Sequence, residues 1–285
     1  MNKLTKKTLK RAVILLITAS LIFGCCACSG NKGEVLAEQV KVGDYVNYNA
    51  ASGEGKDKSY IAADGSLTGS TRDSVFMVTD PMRWKVMSVD KESGTVELMA
   101  DDPTPDQLTL CGKTGYKNAE KVLNDISAVY GYGDGATGGR SLTIEDVNKL
   151  ENYTPEESTV SYTYTFGTFI NEDGTESEAT EDNPVTMGYT ASTAEKSTNR
   201  WYGYETTNFS EKTFFLASRC IALHPDECAF AMRFMKEGSI NTSALIDSFC
   251  FDYESRYPVL PVVTLKANIR TSGQDKNGAW NLVIE

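Results

Sequence analysis

What the chain lacks narrows its chemistry first. It contains one histidine, His224, so any histidine base or ligand must use that residue. Its eight prolines are too few for a proline-rich stalk spanning a cell wall. Lys and Arg number 28 against 39 Asp and Glu, a balance that argues against nucleic acid as a partner. There is no Gly-x-Ser-x-Gly nucleophile elbow. The glycine-rich stretch Gly131-Tyr132-Gly133-Asp134-Gly135 lacks the lysine of a phosphate-binding loop. No repeat at solenoid periods is present.

What is there begins at the N-terminus. Lys3, Lys6, Lys7, Lys10 and Arg11 precede an apolar run from Ala12 to Phe23, the pattern of an export signal. Leu21-Ile22-Phe23-Gly24-Cys25 resembles the lipobox of bacterial lipoproteins, which implies cleavage before a diacylated Cys25. The alternative is an uncleaved anchor through the uncharged stretch 12–30; both leave the basic end in the cytoplasm. The expected organisation is a signal over 1–24, a lipidated N-terminus and tether over 25–39, and one domain over 40–285. Its location is the outer face of the cell membrane. Loss of the five early basic charges takes the formal net charge from −11 to −16. That surface favours solubility through self-repulsion and disfavours anionic lipid as a partner of the domain face.

Four cysteines lie outside the export segment: Cys111, Cys220, Cys228 and Cys250. An exported protein can keep disulfides, and four thiols allow three complete pairings. Cys220 to Cys228 is a natural pair across a turn containing Pro225. The metal reading takes Cys220, His224, Cys228 and Cys250 as ligands, but the spacing lacks Cys-x-x-Cys, and Pro225 disfavours a continuous helix.

The periodicity alternates between strand and helix. Val40 to Tyr48 reads as a strand and residues 50–73 as a loop. Arg83 to Val89 and Thr95 to Ala100 read as a hairpin about Lys91-Glu92-Ser93-Gly94. Asn118 is positioned to cap a helix bearing Ala119, Val122, Leu123, Ile126 and Val129, with Gly131 to Gly139 ending it. Thr143-Ile144-Glu145-Asp146 forms a capping box for a second short helix. Residues 151–187 hold nine acidic residues and no Lys or Arg, and read as a hairpin insertion with an acidic tip. Clustered carboxylates raise calcium as a possible cofactor, although the spacing is not that of an EF-hand; no other cofactor is implied. Phe214 to Ser218, Ala229 to Met235, Val259 to Leu265 and Ala279 to Ile284 read as strands. Pro258 and Pro261 imply an edge or bulge near Val259.

Five phrases stand in order: Trp84 to Asp90, Thr114-Gly115-Tyr116-Lys117-Asn118-Ala119, Arg140 to Asp146, Phe215-Leu216-Ala217-Ser218-Arg219 and Tyr257 to Leu265. Together they resemble a family of exported clostridial and related Firmicutes proteins over residues 40–266. The C-terminal strands are similar to the C-type-lectin-like fold, which includes the formylglycine-generating enzymes. The resemblance implies an α+β fold of small twisted antiparallel sheets, two short helices and long loops. The Glu-Pro-Asn and Gln-Pro-Asp triplets that bind calcium and sugar in true C-type lectins are absent. So are matches to the paired active-site cysteines of the formylglycine-generating enzymes.

No carboxylate spacing singles out a catalytic pair, and His224-Pro225-Asp226-Glu227 reads as a polar turn. Binding has better support. Arg200-Trp201-Tyr202-Gly203-Tyr204 concentrates aromatic rings among Thr, Ser and Asn. The loop at Asn241 and the segment Phe249 to Arg256 fall where lectin-like folds display ligand loops. Trp201, Tyr204, Asn241, Tyr253 and Arg256 are therefore the candidate contacts, with a glycan or surface protein as partner. The alternatives are an exported enzyme, either a carboxylate hydrolase or a divergent formylglycine-generating relative, and a structural component of a surface assembly. Labelled palmitate is expected to enter the wild-type protein in cells and to be lost in Cys25→Ala; retained label in that variant rules out the lipidation site.

Overall fold

The computed structural model describes residues 33–63, 65–78, 82–154, 159–190 and 202–284. The fold is α+β, with three α-helices among these residues: α1 (Leu36–Gln39), α2 (Gly112–Ala128) and α3 (Ile144–Leu150). Two sheets organise it. The large sheet runs Glu34–Val35, Arg270–Gln274, Trp280–Val283, Tyr45–Asn47, Trp84–Asp90, Thr95–Ala100, Pro261–Leu265, Ala136–Ser141. Its neighbours are antiparallel except Tyr45–Asn47 on Trp280–Val283. The second runs Tyr202–Glu205, Ser239–Asp247, Cys228–Lys236, Phe214–Leu223, all antiparallel.

The hairpin expected at Trp84 forms, with Trp84 opposite Ala100 and Asp90 opposite Thr95. Its turn is closed by Asp90, whose carboxylate accepts from the Glu92 and Ser93 amides and the Ser93 hydroxyl, while Gly94 takes φ +71°. A bulge between Val86 and Ser88 breaks the alternation, so Val86 and Met87 are both buried. The capping box also forms: the Asp146 amide donates to Thr143 Oγ1 (3.3 Å) and the Thr143 amide to Asp146 Oδ2 (3.0 Å). Arg140 adds a two-pronged bond to the same carboxylate at 2.5 and 3.0 Å.

Four boundaries differ from the sequence reading. The domain starts at Glu34 rather than 40, because Glu34–Val35 pairs with Arg270 and Thr271 and Leu36 and Ala37 are buried. Only Tyr45–Asn47 of the expected first strand pairs, and the expected loop after it contains a 3-10 turn, Gly53–Asp57, and a strand, Ser59–Ala62. Helix α2 starts at Gly112, so Asn118 lies inside it and donates to the Thr114 carbonyl (3.0 Å) instead of capping. Finally, Pro261–Leu265 is not an edge strand. It lies between Thr95–Ala100 and Ala136–Ser141, tolerated because proline opens the strand, where its missing N–H matters least.

Helix α2 buries Tyr116, Ala119, Val122, Leu123 and Ile126 at helical spacing, against Phe215, Phe230 and Leu245 of the second sheet. A second core is built on Trp84, Leu98, Val262 and Val263 of the large sheet with α1 and α3, and takes in Phe214, Leu216, Met235 and Ile240 of the second sheet. Gly131 and Gly139 let the chain cross itself at the end of α2: a Cβ on Gly131 would lie 2.2 Å from the Gly138 carbonyl carbon.

Asp101 ties the large sheet to the approach to the second. Its carboxylate is 6% exposed and accepts from the Tyr45 hydroxyl (3.0 Å), Arg83 Nε (3.1 Å) and Arg83 Nη2. It also meets Lys85 Nζ at 2.6 Å and Lys212 Nζ at 3.4 Å. Lys212 belongs to the loop leading into Phe214–Leu223 and also donates to the Asp101 carbonyl. Burial works to raise the carboxyl pKa, but hydrogen bonds from Arg83 and Lys85 and the Lys212 charge outweigh it and hold it well below the usual carboxylate range. A carboxyl depressed on folding stabilises above its unfolded pKa of about 4, and that contribution is lost as pH falls through the folded value. Asp101→Asn is expected to lose about 3 kcal/mol of stability at pH 7, as for one partner removed from a buried ion pair. Urea unfolding checks this, and the gap from wild type should narrow below about pH 4.

Candidate ligand-binding site

The site grows from Asp247, the last residue of the strand Ser239–Asp247, whose buried carboxylate shapes the loop that follows. Oδ1 accepts the Phe249 and Phe251 amides at 2.9 and 3.0 Å, and Oδ2 accepts the Tyr253 hydroxyl at 2.8 Å. With those amides turned inward, the rings turn outward: Phe249, Phe251 and Tyr253 are 43%, 65% and 44% exposed. The hydrogen bond to Asp247 also holds the Tyr253 phenol above its ordinary pKa, with burial adding to it. Cys250 takes φ +65°, the left-handed conformation the tight loop requires.

A fourth ring comes from the acidic insertion. The insertion is two nested hairpins, Thr159–Tyr164 on Val185–Thr190 and Gly167–Ile170 on Glu176–Ala179. Phe166, at the corner between them, is 72% exposed and lies 6.0 Å from the Phe249 ring. The corner docks through the Thr168 amide, which donates to the Ser248 carbonyl (2.9 Å). A Cβ on Gly167 would come within 2.7 Å of that carbonyl. The expected acidic tip is thus partly engaged: Glu176 bridges Lys113 (3.0 Å) and Lys117 (2.9 Å) at the start of α2.

The exposed rings form an aromatic rim, and beside it lies a cleft of about 280 Å³, lined by Cys111, Gly112, Lys113, Thr168, Cys250 and Asp252 among others, with none of the four rings in its lining. Its floor is the N-terminus of α2, where the Gly112 amide donates to the Tyr253 carbonyl (3.3 Å). Gly112 takes φ +57°, and a Cβ there would sit 2.4 Å from Asp252 Oδ1. A helix N-terminus lowers a thiol pKa. At Cys111 burial, followed by the Asp252 and Glu254 charges, prevails and raises it, so the protonated thiol is a weak nucleophile.

The residues singled out from sequence fare differently. Tyr253 is on the rim. Arg256 is exposed three positions further on, in the strand Glu254–Pro258, with its backbone opposite Thr109. Asn241 is not displayed: it is buried opposite Phe234, and its side chain donates to the Ser239 carbonyl (2.9 Å). Tyr204 belongs to the edge strand Tyr202–Glu205. Trp201 and Cys25 lie outside the described residues. Asp247 and Phe166 were missed; an Asp after a strand has only the weak signature of an Asx turn.

No disulfide joins the four described cysteines. The pairing of Cys220 with Cys228 fails on register. Cys220 lies opposite Ala231, three positions from Cys228, about 10 Å along a strand and beyond the ~7 Å Cα separation that a disulfide spans. Burial pushes the Cys228 thiol up to about 12. His224 sits in the expected turn: its amide donates to the Glu227 carbonyl (2.9 Å), and its Nδ1 accepts from the Asp226 amide (3.4 Å). Among the described residues, no group of three His, Cys, Asp or Glu side chains is placed to hold a metal.

No protein family, curated protein or solved structure matches the chain. Iodoacetamide on the native protein is expected to modify exposed Cys250 first and Cys228 only after denaturation, as read by peptide mass spectrometry; native-rate modification of Cys228 contradicts its placement.

Proposed function

We propose that the chain is a lipid-anchored surface protein whose lectin-like α+β domain binds a glycan or surface protein and performs no chemistry of its own. The observation that carries this reading is the rim of four exposed rings, Phe166, Phe249, Phe251 and Tyr253, on two adjoining loops beside the cleft, with Phe166 and Phe249 6.0 Å apart. Burying one such side chain gains about 2 kcal/mol, so four rings left in water on a well-packed scaffold forgo appreciable stability. Clustered exposed apolar surface of this kind marks interaction sites. The rim is held rigidly: Asp247 fixes the loop, and the Phe166 corner is clamped on Ser248. Pre-ordered rings lose little conformational freedom on binding, which favours affinity. Polar groups beside them, Asp252 and Lys113, supply hydrogen bonds for orientation.

The test is a screen of residues 25–285 against bacterial and host glycans and surface proteins. For a ligand so found, Phe249→Ala with Phe251→Ala is expected to weaken binding by about tenfold to a hundredfold, the range for aromatic anchors, with the unfolding midpoint little changed. Unchanged affinity in a folded double variant removes the rim from the site. Loss of binding together with loss of the fold is resolved by Phe166→Ala, which sits on the separate insertion.

A further inference from the structure

The acidic surface speaks against lipid contact overall, but charge is unevenly placed. At the end of the domain where the tether arrives, a cleft of about 180 Å³ is lined by Lys266, Asn268, Arg270, Val283 and Ile284, and no Asp or Glu is among its described lining residues. Lys266 and Ile284 are exposed. The tether enters at this place: the Gly33 carbonyl accepts from Arg270 Nη1 (2.8 Å), Val35 lies opposite Arg270, and the Leu36 amide donates to the Ile269 carbonyl (2.8 Å).

We infer that this cleft is the membrane-proximal face of the domain and rests on anionic phospholipid headgroups. The inference depends on the N-terminal anchor in the proposed function and not on the aromatic rim. Its support is the length of chain outside the described residues. From Cys25 to Gly33 the chain can reach at most about 29 Å, whereas a fold of about 250 residues is roughly 45 Å across. An uncleaved anchor through 12–30 shortens the tether further. The tethered end therefore stays at the bilayer. There Lys266 meets phosphate and Ile284 meets the acyl boundary.

The same contacts set the direction of the rim. A Cβ on Gly135 would lie 2.8 Å from Ile269 Cδ1 and 2.9 Å from Ile284 Cδ1, and Gly135 follows the 3-10 turn Val129–Tyr132 that continues α2. The C-terminal end of α2 is thus at the lipid-facing cleft and its N-terminal end at the aromatic rim, about 25 Å away along the helix.

The test uses the full chain made in cells, floated on vesicles of phosphatidylglycerol and phosphatidylcholine or of phosphatidylcholine alone, with hydroxyl-radical footprinting. The expected result is protection of residues 266–270 and 283–284 on anionic vesicles, with Phe249 and Phe251 labelled as in detergent. Lys266→Glu with Ile284→Ser should lose that protection while the protein still floats, since one basic residue near an anionic surface changes association by about fivefold. Floating protein with unprotected 266–284, or with a protected rim, overturns the docking inference. Protein that does not float overturns the anchor and the inference with it, leaving ligand binding at the rim as a separate result.

Discussion

A buried carboxylate ties the large sheet to the loop that feeds the second. Asp101 has at most about four acceptor directions and meets Tyr45, Arg83, Lys85 and Lys212. Tyr45 and Lys85 lie opposite each other on neighbouring strands of the large sheet, whereas Lys212 comes from the loop feeding the second sheet. The hydrophobic cores on either side are non-directional and set no angle between the sheets by themselves. The buried carboxylate supplies direction, because any slip of the loop would leave a desolvated charge short of partners. The Arg140 bond to Asp146, the Ala217 amide on the Leu142 carbonyl (2.8 Å) and the Ile144 amide on Ser218 Oγ (2.9 Å) repeat the arrangement on a smaller scale.

Asp247 shows the same chemistry used for display. Both aspartates are buried and both collect donors. Those of Asp101 come from distant elements, so that carboxylate fastens; those of Asp247 come from its own next six residues, so it folds a loop back and exposes the rings between. Rigidity at the rim therefore needs no hydrophobic support from outside, and the aromatic side chains remain available to a ligand.

Features written in local sequence were legible. The Trp84 hairpin follows from alternation plus an Asp-led turn, and the α3 start from the Thr143 and Asp146 pair. Features set by tertiary contact were not. Gly112 to Lys117 carries little apolar period, and what starts α2 there is the Tyr253 carbonyl and the fit of Asp252 against a residue without a Cβ. Phe249, Phe251 and Tyr253 recur at every second position, which reads as a strand facing a core; the capture of the Phe249 and Phe251 amides and the Tyr253 hydroxyl by Asp247 folds the segment into a loop instead. Cys220 and Cys228 are close in sequence, yet the hairpin register holds them apart. Asn241 sits beside a Gly-Ser turn and reads as displayed, but its strand is covered by Tyr202–Glu205.

Helix α2 links the insertion to the loop that carries the rings. Lys113 and Lys117 stand in its first turns, where the positive end of the helix dipole makes lysine unfavourable. Glu176 from the insertion and Asp252 from the rim loop bring the opposing charge, each an exposed contact worth little alone. Together with the Ser248 carbonyl that receives Thr168, they make the insertion, the rim loop and the helix end mutually dependent. The acidic insertion is then part of the aromatic end itself: without it, Phe166 leaves the rim and α2 keeps two lysines at its positive end with one counter-charge fewer.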